Sequence, residues 1–251
     1  MSRKVRGSLR HLRVSVAPPH WPIPRKERVW TVKPSPGPHS LTSCIPLGII
    51  LRDLLGYTAT MRETRRVLAE RKVEVDGRVI TDYKYPVGLM DVIHIIPEEK
   101  YYRVVPGRPR KLVLVGIPPE EAHLKLLRVK RKTTVKGGHI QLTFHDGRNY
   151  LIRVKDPRNP VEAPYCTIDS VLFDLKARVI LEHVPFEPGV LSVVVDGRNV
   201  GFLGRIESVQ QVFRRRDALV VLSSEGGIAR TVAEYVFPVG REKPLVTVVP
   251  R

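Results

Sequence analysis

The sequence predicts an α+β fold that is mostly β: an extended basic N-terminal arm, a small helix-helix-hairpin module, a β-rich middle domain and a C-terminal barrel. Three observations predict it. Prolines and cations dominate the first 46 residues, and helical periodicity is confined to residues 47–71. Alternating apolar runs punctuated by Gly, Pro and Asp fill the remainder. At 251 residues the chain is long enough for about two domains of roughly 100–200 residues each.

Residues 1–42 are the arm. Nine basic residues (Arg3, Lys4, Arg6, Arg10, Arg13, Arg25, Lys26, Arg28 and Lys33) stand there against one acid, Glu27. Eight prolines lie between Ala17 and Pro46, each fixing φ and removing a backbone donor. Such a segment resists helix and sheet, so it is expected to be mobile until a partner orders it. Trp21 and Trp30, the only tryptophans, lie within it. Rings among arginines can stack on bases, or they can pin the arm to the body of the protein.

Residues 43–104 are the module. Leu47, Ile50, Leu51, Leu54 and Leu55 mark one face of a short helix ended by Gly56. Thr60 and Glu63 have capping-box spacing and open a second helix over residues 61–71. That helix packs with Val67 and Leu68 and carries Arg62, Arg65 and Arg66 on its other face. Residues 72–80 alternate around Asp76-Gly77, a strong hairpin signal. Residues 85–88 read as a further turn and Val92–Ile95 as a strand.

Residues 105–176, the middle domain, offer strands at 112–115, 124–130, 140–144, 150–154 and 171–175, with a hairpin at His145-Asp146-Gly147-Arg148. Residues 177–251, the barrel, offer strands from 179–184 onward. Asp-Gly-Arg recurs at 76–78, 146–148 and 196–198, with irregular spacing that indicates shared turn chemistry and no repeat.

Charge narrows the function. There are 43 Lys and Arg against 25 Asp and Glu, a formal net charge of +18, which favours a polyanionic partner. Arg outnumbers Lys 29 to 14, and the planar guanidinium binds phosphate bidentately. No run reaches the roughly 20 apolar residues of a membrane span, and the N-terminus lacks a secretory apolar region. Cys44 and Cys166 stand far apart, which disfavours a zinc site, excludes a disulfide framework and fits a reducing compartment. The eight histidines form no H-x-x-x-H pair, and Asp217 after Arg214-Arg215-Arg216 reads as a charge partner. No enzyme, metal site or cofactor is expected.

Thr60-Met61-Arg62-Glu63-Thr64-Arg65, Val67-Leu68 and Val73-Glu74-Val75-Asp76-Gly77-Arg78-Val79 resemble the S-four-type RNA-binding module of ribosomal proteins, pseudouridine synthases and some synthetases. Arg65 matches its phosphate-contacting arginine, twelve residues before the hairpin glycine. Met61 departs from an Arg, and Arg71 from a helix-ending Gly. Residues 195–206 resemble the KOW motif of small SH3-like barrels. There Arg198, Asn199 and Arg205 supply donors, while Gly201 and Gly204 permit close approach.

With Trp21-Pro22-Ile23-Pro24-Arg25-Lys26, Trp30-Thr31-Val32-Lys33, His39-Ser40-Leu41 and Cys44-Ile45-Pro46-Leu47, the whole chain resembles in order the archaeal and eukaryotic small-subunit ribosomal family S-four-e. The resemblance implies a structural role on the cytoplasmic ribosome. The implied partners are small-subunit ribosomal RNA and neighbouring ribosomal proteins, with no membrane and no small-molecule substrate. The implied contacts are the nine arm cations, Trp21, Trp30, His39, Arg62, Arg65, Arg66, Lys72, Arg78, Arg198, Asn199, Gly201, Gly204 and Arg205. Two other readings stay open: an RNA-modifying enzyme targeted by the module, and a KOW-containing transcription or translation factor.

Overall fold

The structure, a computed structural model, describes residues 11–108, 111–156, 161–211, 214–224 and 226–248. Within residues 11–42 the chain is packed against the protein, contrary to the extended arm expected. β1 (Leu12–Arg13) pairs antiparallel with β2 (Trp30–Thr31). Leu12, Ala17 and Trp21 join Ile45, Leu47, Leu68 and Ile93 in one core. Prolines do remove donors here, but side chains replace them. Arg25 donates to the carbonyls of Val14, Ala17 and Pro18 at 2.7–2.9 Å, and Trp21 Nε1 donates to Cys44 O at 2.7 Å.

β3 (Cys44–Pro46) leads into α1 (Leu47–Ile49), which continues as a π turn over Ile50–Leu54. α2 (Met61–Ala69) opens on the expected capping box: Thr60 accepts from the Glu63 amide, and Glu63 from the Thr60 amide. It ends without glycine. Arg71 takes φ +58°, and the amides of Arg71 and Lys72 reach back to Leu68 O and Val67 O, a Schellman closure in a conformation that L-residues resist. β4 (Val73–Val75) and β5 (Arg78–Val79) flank Asp76-Gly77, both at positive φ. β6 (Pro86–Gly88) pairs with β3, so residues 85–88 form a strand end where a turn was expected.

β7 (Val92–Ile95), β8 (Lys100–Pro106) and β9 (Leu112–Ile117) complete a five-stranded sheet ordered β5-β4-β7-β8-β9. The sheet that begins in the module therefore continues to residue 117, past the boundary expected at 104. β10 (Leu124–Thr134), β11 (Ile140–Phe144), β12 (Asn149–Ile152), β13 (Ser170–Asp174) and β14 (Val179–Val184) form a second sheet ordered β12-β11-β10-β13-β14. β14 belongs to this sheet, which moves the next boundary from 176 to beyond 184. β15 (Leu191–Val194), β16 (Leu203–Gln210), β17 (Leu219–Ser224), β18 (Gly227–Val232) and β19 (Val236–Gly240) form the third, ordered β18-β17-β16-β15-β19. Met90, from the turn between β6 and β7, shares one core with Leu126 and Leu172 of the second sheet and Val193, Phe237 and Val239 of the third, so the module meets both.

At this junction lies Lys125, fully buried. Its Nζ is 2.6 Å from Asp76 Oδ2, 2.6 Å from Asp91 Oδ1 and 3.3 Å from Asp146 Oδ2. Arg148 bridges Asp76 at 2.7 Å and Asp146 at 3.0 Å, and His39 Nε2 meets Asp91 at 3.0 Å. Burial alone would lower the Lys125 ammonium, but the three aspartates together raise it. For Asp91, Lys125 and then His39 outweigh burial and hold the carboxyl below the usual carboxylate range. Asp76 goes the other way: burial, only partly offset by Lys125, raises it.

Two stability predictions follow from this cluster. Lys125→Met leaves three buried carboxylates short of a partner and should cost about 3–5 kcal/mol by urea denaturation, against under about 1.5 kcal/mol if the cluster adds nothing. Burial pulls the His145 imidazole down to about 3, its Nδ1 accepting from the Arg128 amide and its Nε2 donating to Leu89 O. The unfolded chain then binds the extra proton between pH 6.5 and 3, so stability should fall as pH drops through that window, by up to about 1.4 kcal/mol per unit. Asp91 adds to the loss below about pH 4, because its folded carboxyl is depressed. Urea midpoints across pH should show a shallower slope above pH 4 in His145→Gln.

Candidate nucleic-acid interface

α2 turns Thr64 and Leu68 inward and leaves Arg62, Arg65 and Arg66 exposed. Arg65 is the most organised of the three. Its guanidinium lies 4.3 Å from the Tyr83 ring centre, and Nη2 donates to Tyr83 Oη at 2.9 Å. Lys84 Nζ covers the same ring at 5.6 Å. Arg66 reaches Glu70 at 3.0 Å with 83 % of its side chain exposed, a pairing of the kind worth about 0.5 kcal/mol and readily exchanged for phosphate. Lys72 pairs with the same Glu70 at 2.6 Å.

Beside this face runs a groove of about 550 Å³ whose far wall is the β1–β2 segment. It is lined by Arg28, Trp30, Lys33, Arg65, Tyr83 and Lys84 among others. Trp30 is 53 % exposed, with the His11 ring at 5.6 Å and the Arg13 guanidinium at 5.7 Å. The two tryptophans thus divide the two roles left open by the sequence. Trp30 offers a ring flanked by cations, the arrangement on which bases stack. Trp21, 3 % exposed, is a pin in the core and no RNA contact.

Other expected contacts separate in the same way. Arg13, Lys26, Arg28, Lys72, Arg78, Arg198 and Arg205 are exposed. Arg3, Lys4, Arg6 and Arg10 lie outside the described residues. Arg25 is engaged in holding three carbonyls of its own segment. His39 is 8 % exposed and bound to Asp91, and its ring lies so close to Gly88 that a Cβ there would fall 2.3 Å from it. It fastens residues 11–42 to the Lys125 cluster and, contrary to expectation, presents no free face to a partner.

In the loop between β15 and β16, Asn199 Nδ2 donates to Arg230 O at 3.4 Å, and Asp196 pairs with Lys111. Gly201, at φ +79°, would place a Cβ 3.1 Å from Gly107 Cα, and Gly204 would place one 2.7 Å from Ser223 O. Both glycines allow close packing within the protein. Among the described residues no cluster of three or more His, Cys, Asp or Glu side chains is placed to hold a metal ion. Nor is any helix there long and apolar enough to cross a membrane.

Sequence reasoning missed Lys125, because a lysine in an alternating strand reads as a surface residue. The available signal was the repeated Asp-Gly-Arg: the triplets at 76–78 and 146–148 meet around Lys125.

Comparison with known proteins decides the family. Residues 98–180 match the model described as Ribosomal family S4e, residues 6–42 the RS4NT (NUC023) domain and residues 53–93 the S4 domain. The Small ribosomal subunit protein eS4 of Ignicoccus hospitalis is 52 % identical over 245 residues, covering 97 % of this chain and 96 % of that one. The chain belongs to ribosomal family S4e. The protein of the same name from Desulfurococcus amylolyticus is 50 % identical over 241 residues, covering 96 % of each chain. Among solved structures, the 30S ribosomal protein S4e from Thermoplasma acidophilum matches with a TM-score of 0.66 at 30 % identity, covering 80 % of this chain and 96 % of that one.

For this S4e chain the two tryptophans should separate by experiment. Trp21→Ala should cost about 3–5 kcal/mol by denaturation, as for a large buried aromatic, whereas Trp30→Ala should cost under about 1 kcal/mol and weaken RNA binding. Acrylamide quenching of each single-tryptophan variant checks the assignment, with Trp30 the accessible one.

Proposed function

We propose that this chain is a structural constituent of the small ribosomal subunit, holding ribosomal RNA along the groove between β2 and α2 and on the arginine face beside it. The observation that carries the reading is the convergence there of Arg65, Lys84 and Arg28 with the exposed Trp30 ring, in a chain of family S4e. Each arginine displaces counterions from phosphate, while the fold fixes the distances between arginines. Few base-edge readers accompany them, so shape and backbone geometry dominate recognition. The β15–β16 loop, with Arg198 and Arg205, is proposed as a second basic contact.

Neighbouring small-subunit proteins are the second class of partner proposed. Edge strands support this: β14 exposes Val179 and Leu181, and β18 exposes Ile228, each beside unpaired backbone groups.

Replacing Arg62, Arg65 and Arg66 with Glu leaves Leu68 and Val67 in place, so the fold should persist. The plot of log K against log salt for small-subunit ribosomal RNA should lose roughly two to three units of slope, with affinity falling at every salt concentration. A folded triple variant with unchanged slope would assign that face to solvent.

A further inference from the structure

A second concavity, of about 660 Å³, opens between the Asp76-Gly77 hairpin and the central sheet, and the expected contacts account for only one of its residues, Arg78. Its acids are already engaged. Glu74 is 3.0 Å from His94 Nδ1, and Asp76 is held by Lys125 and Arg148. Apart from Arg148, which is paired with Asp76 and Asp146, its cations are not. Among the described residues Arg78, Lys176 and Arg178 have no ion pair, and all three are exposed along this rim. The remaining charge at the mouth is therefore positive.

The walls are aromatic. His94 and Tyr101 stack in parallel at 4.2 Å and 7°, and Tyr150 lines the same space. A parallel stack has outer faces on which a further ring can lie. Buried His94 Nε2 has no hydrogen-bond partner. Asn149 Oδ1 accepts from Thr143 Oγ1, which leaves the Asn149 amide donors for a ligand. The volume lies within the roughly 300–1,000 Å³ of small-molecule clefts, ample for one nucleotide. An acidic peptide would use the cations and leave the rings without a partner.

We propose that this cleft takes one unpaired RNA nucleotide, its phosphate among Arg78, Lys176 and Arg178 and its base against the His94, Tyr101 and Tyr150 wall. The assignment rests on the ribosomal RNA reading and adds a site that the β2–α2 groove does not include. Both hairpin and sheet contribute, so the bound nucleotide bridges the module and the central domain. Stacking tolerates any base, so the site selects an unpaired nucleotide and not a sequence.

The test uses the full chain with pentauridylate or pentaadenylate, and photocrosslinking of a pentauridylate carrying one 5-iodouridine. Crosslinks should map to Tyr101 or Tyr150. Replacing Arg78, Lys176 and Arg178 with Gln should lower affinity about tenfold or more, while Gln at Arg131, Lys136 and Arg153, an equal loss of exposed charge elsewhere, should change it less than about twofold. Asn149→Asp, which can still accept from Thr143, should weaken binding by adding a carboxylate. Equal losses in both triple variants, or crosslinks confined to residues 11–33 and 61–84, would overturn the cleft assignment and leave the groove reading intact. So would displacement of the oligonucleotide by an octaglutamate peptide at matched concentration, which would assign the cleft to an acidic protein segment. If the intact chain fails to bind small-subunit ribosomal RNA at all, the underlying reading falls with it.

Discussion

Lys125 holds a full charge without solvent, and aspartates from three separate turns keep it charged. An ammonium in that position would cost several kcal/mol if left alone, so the three turns must arrive together for any of them to be stable. Asp76 comes from the β4–β5 hairpin, Asp91 from the turn before β7, and Asp146 from the β11–β12 hairpin. The cluster therefore fixes the module against the central sheet. Through His39 on Asp91 it also fixes residues 11–42. A further buried acid extends the same logic: Asp169 receives His183 at 2.9 Å and Arg215 at 3.1 Å, joining the central sheet to the C-terminal one.

The consequence for function is a division of cations. Arg25, Arg103, Lys125, Arg128 and Arg148 point into the protein, bound to carbonyls or carboxylates. They set the positions of the cations that face outward. Arg62, Arg65, Arg66, Arg28 and Arg198 are exposed, on segments that the first group helps to hold together. A surplus of arginine in the sequence thus has two uses, and the partners each side chain finds tell them apart. A protein whose cations are already placed loses little conformational entropy on binding a polyanion.

Much of the fold was legible. The capping box at Thr60 and Glu63, the Asp76-Gly77 hairpin and the strand Val92–Ile95 are local signals, and each appears where its spacing placed it. Residues 11–42 were not legible, because their order comes from contacts 8 to 52 residues apart: Arg25 on Ala17 O, Trp21 on Cys44 O, His39 on Asp91. Proline content predicts missing backbone donors correctly but cannot show that side chains supply substitutes. At the candidate site, Arg62, Arg65 and Arg66 share the exposed helix face that their spacing implies. The roles of Trp21 and Trp30 needed the fold, since both sit in the same basic composition. Strand pairing also runs past residues 104 and 176, because pairing crosses loops whereas composition changes at loops.

The central claim is that the outward-facing cations are preplaced by a rigid junction. It is tested most directly by a pulsed electron-spin distance between a label on native Cys166, which is exposed, and one on Ala69→Cys at the end of α2. Cys44 is buried, and burial pushes its thiol up to about 12, so it takes no label. The account predicts one narrow distance distribution in the free protein, unchanged when small-subunit ribosomal RNA is added. A broad distribution that narrows only with RNA would contradict it, because RNA and not the buried cluster would then set the arrangement.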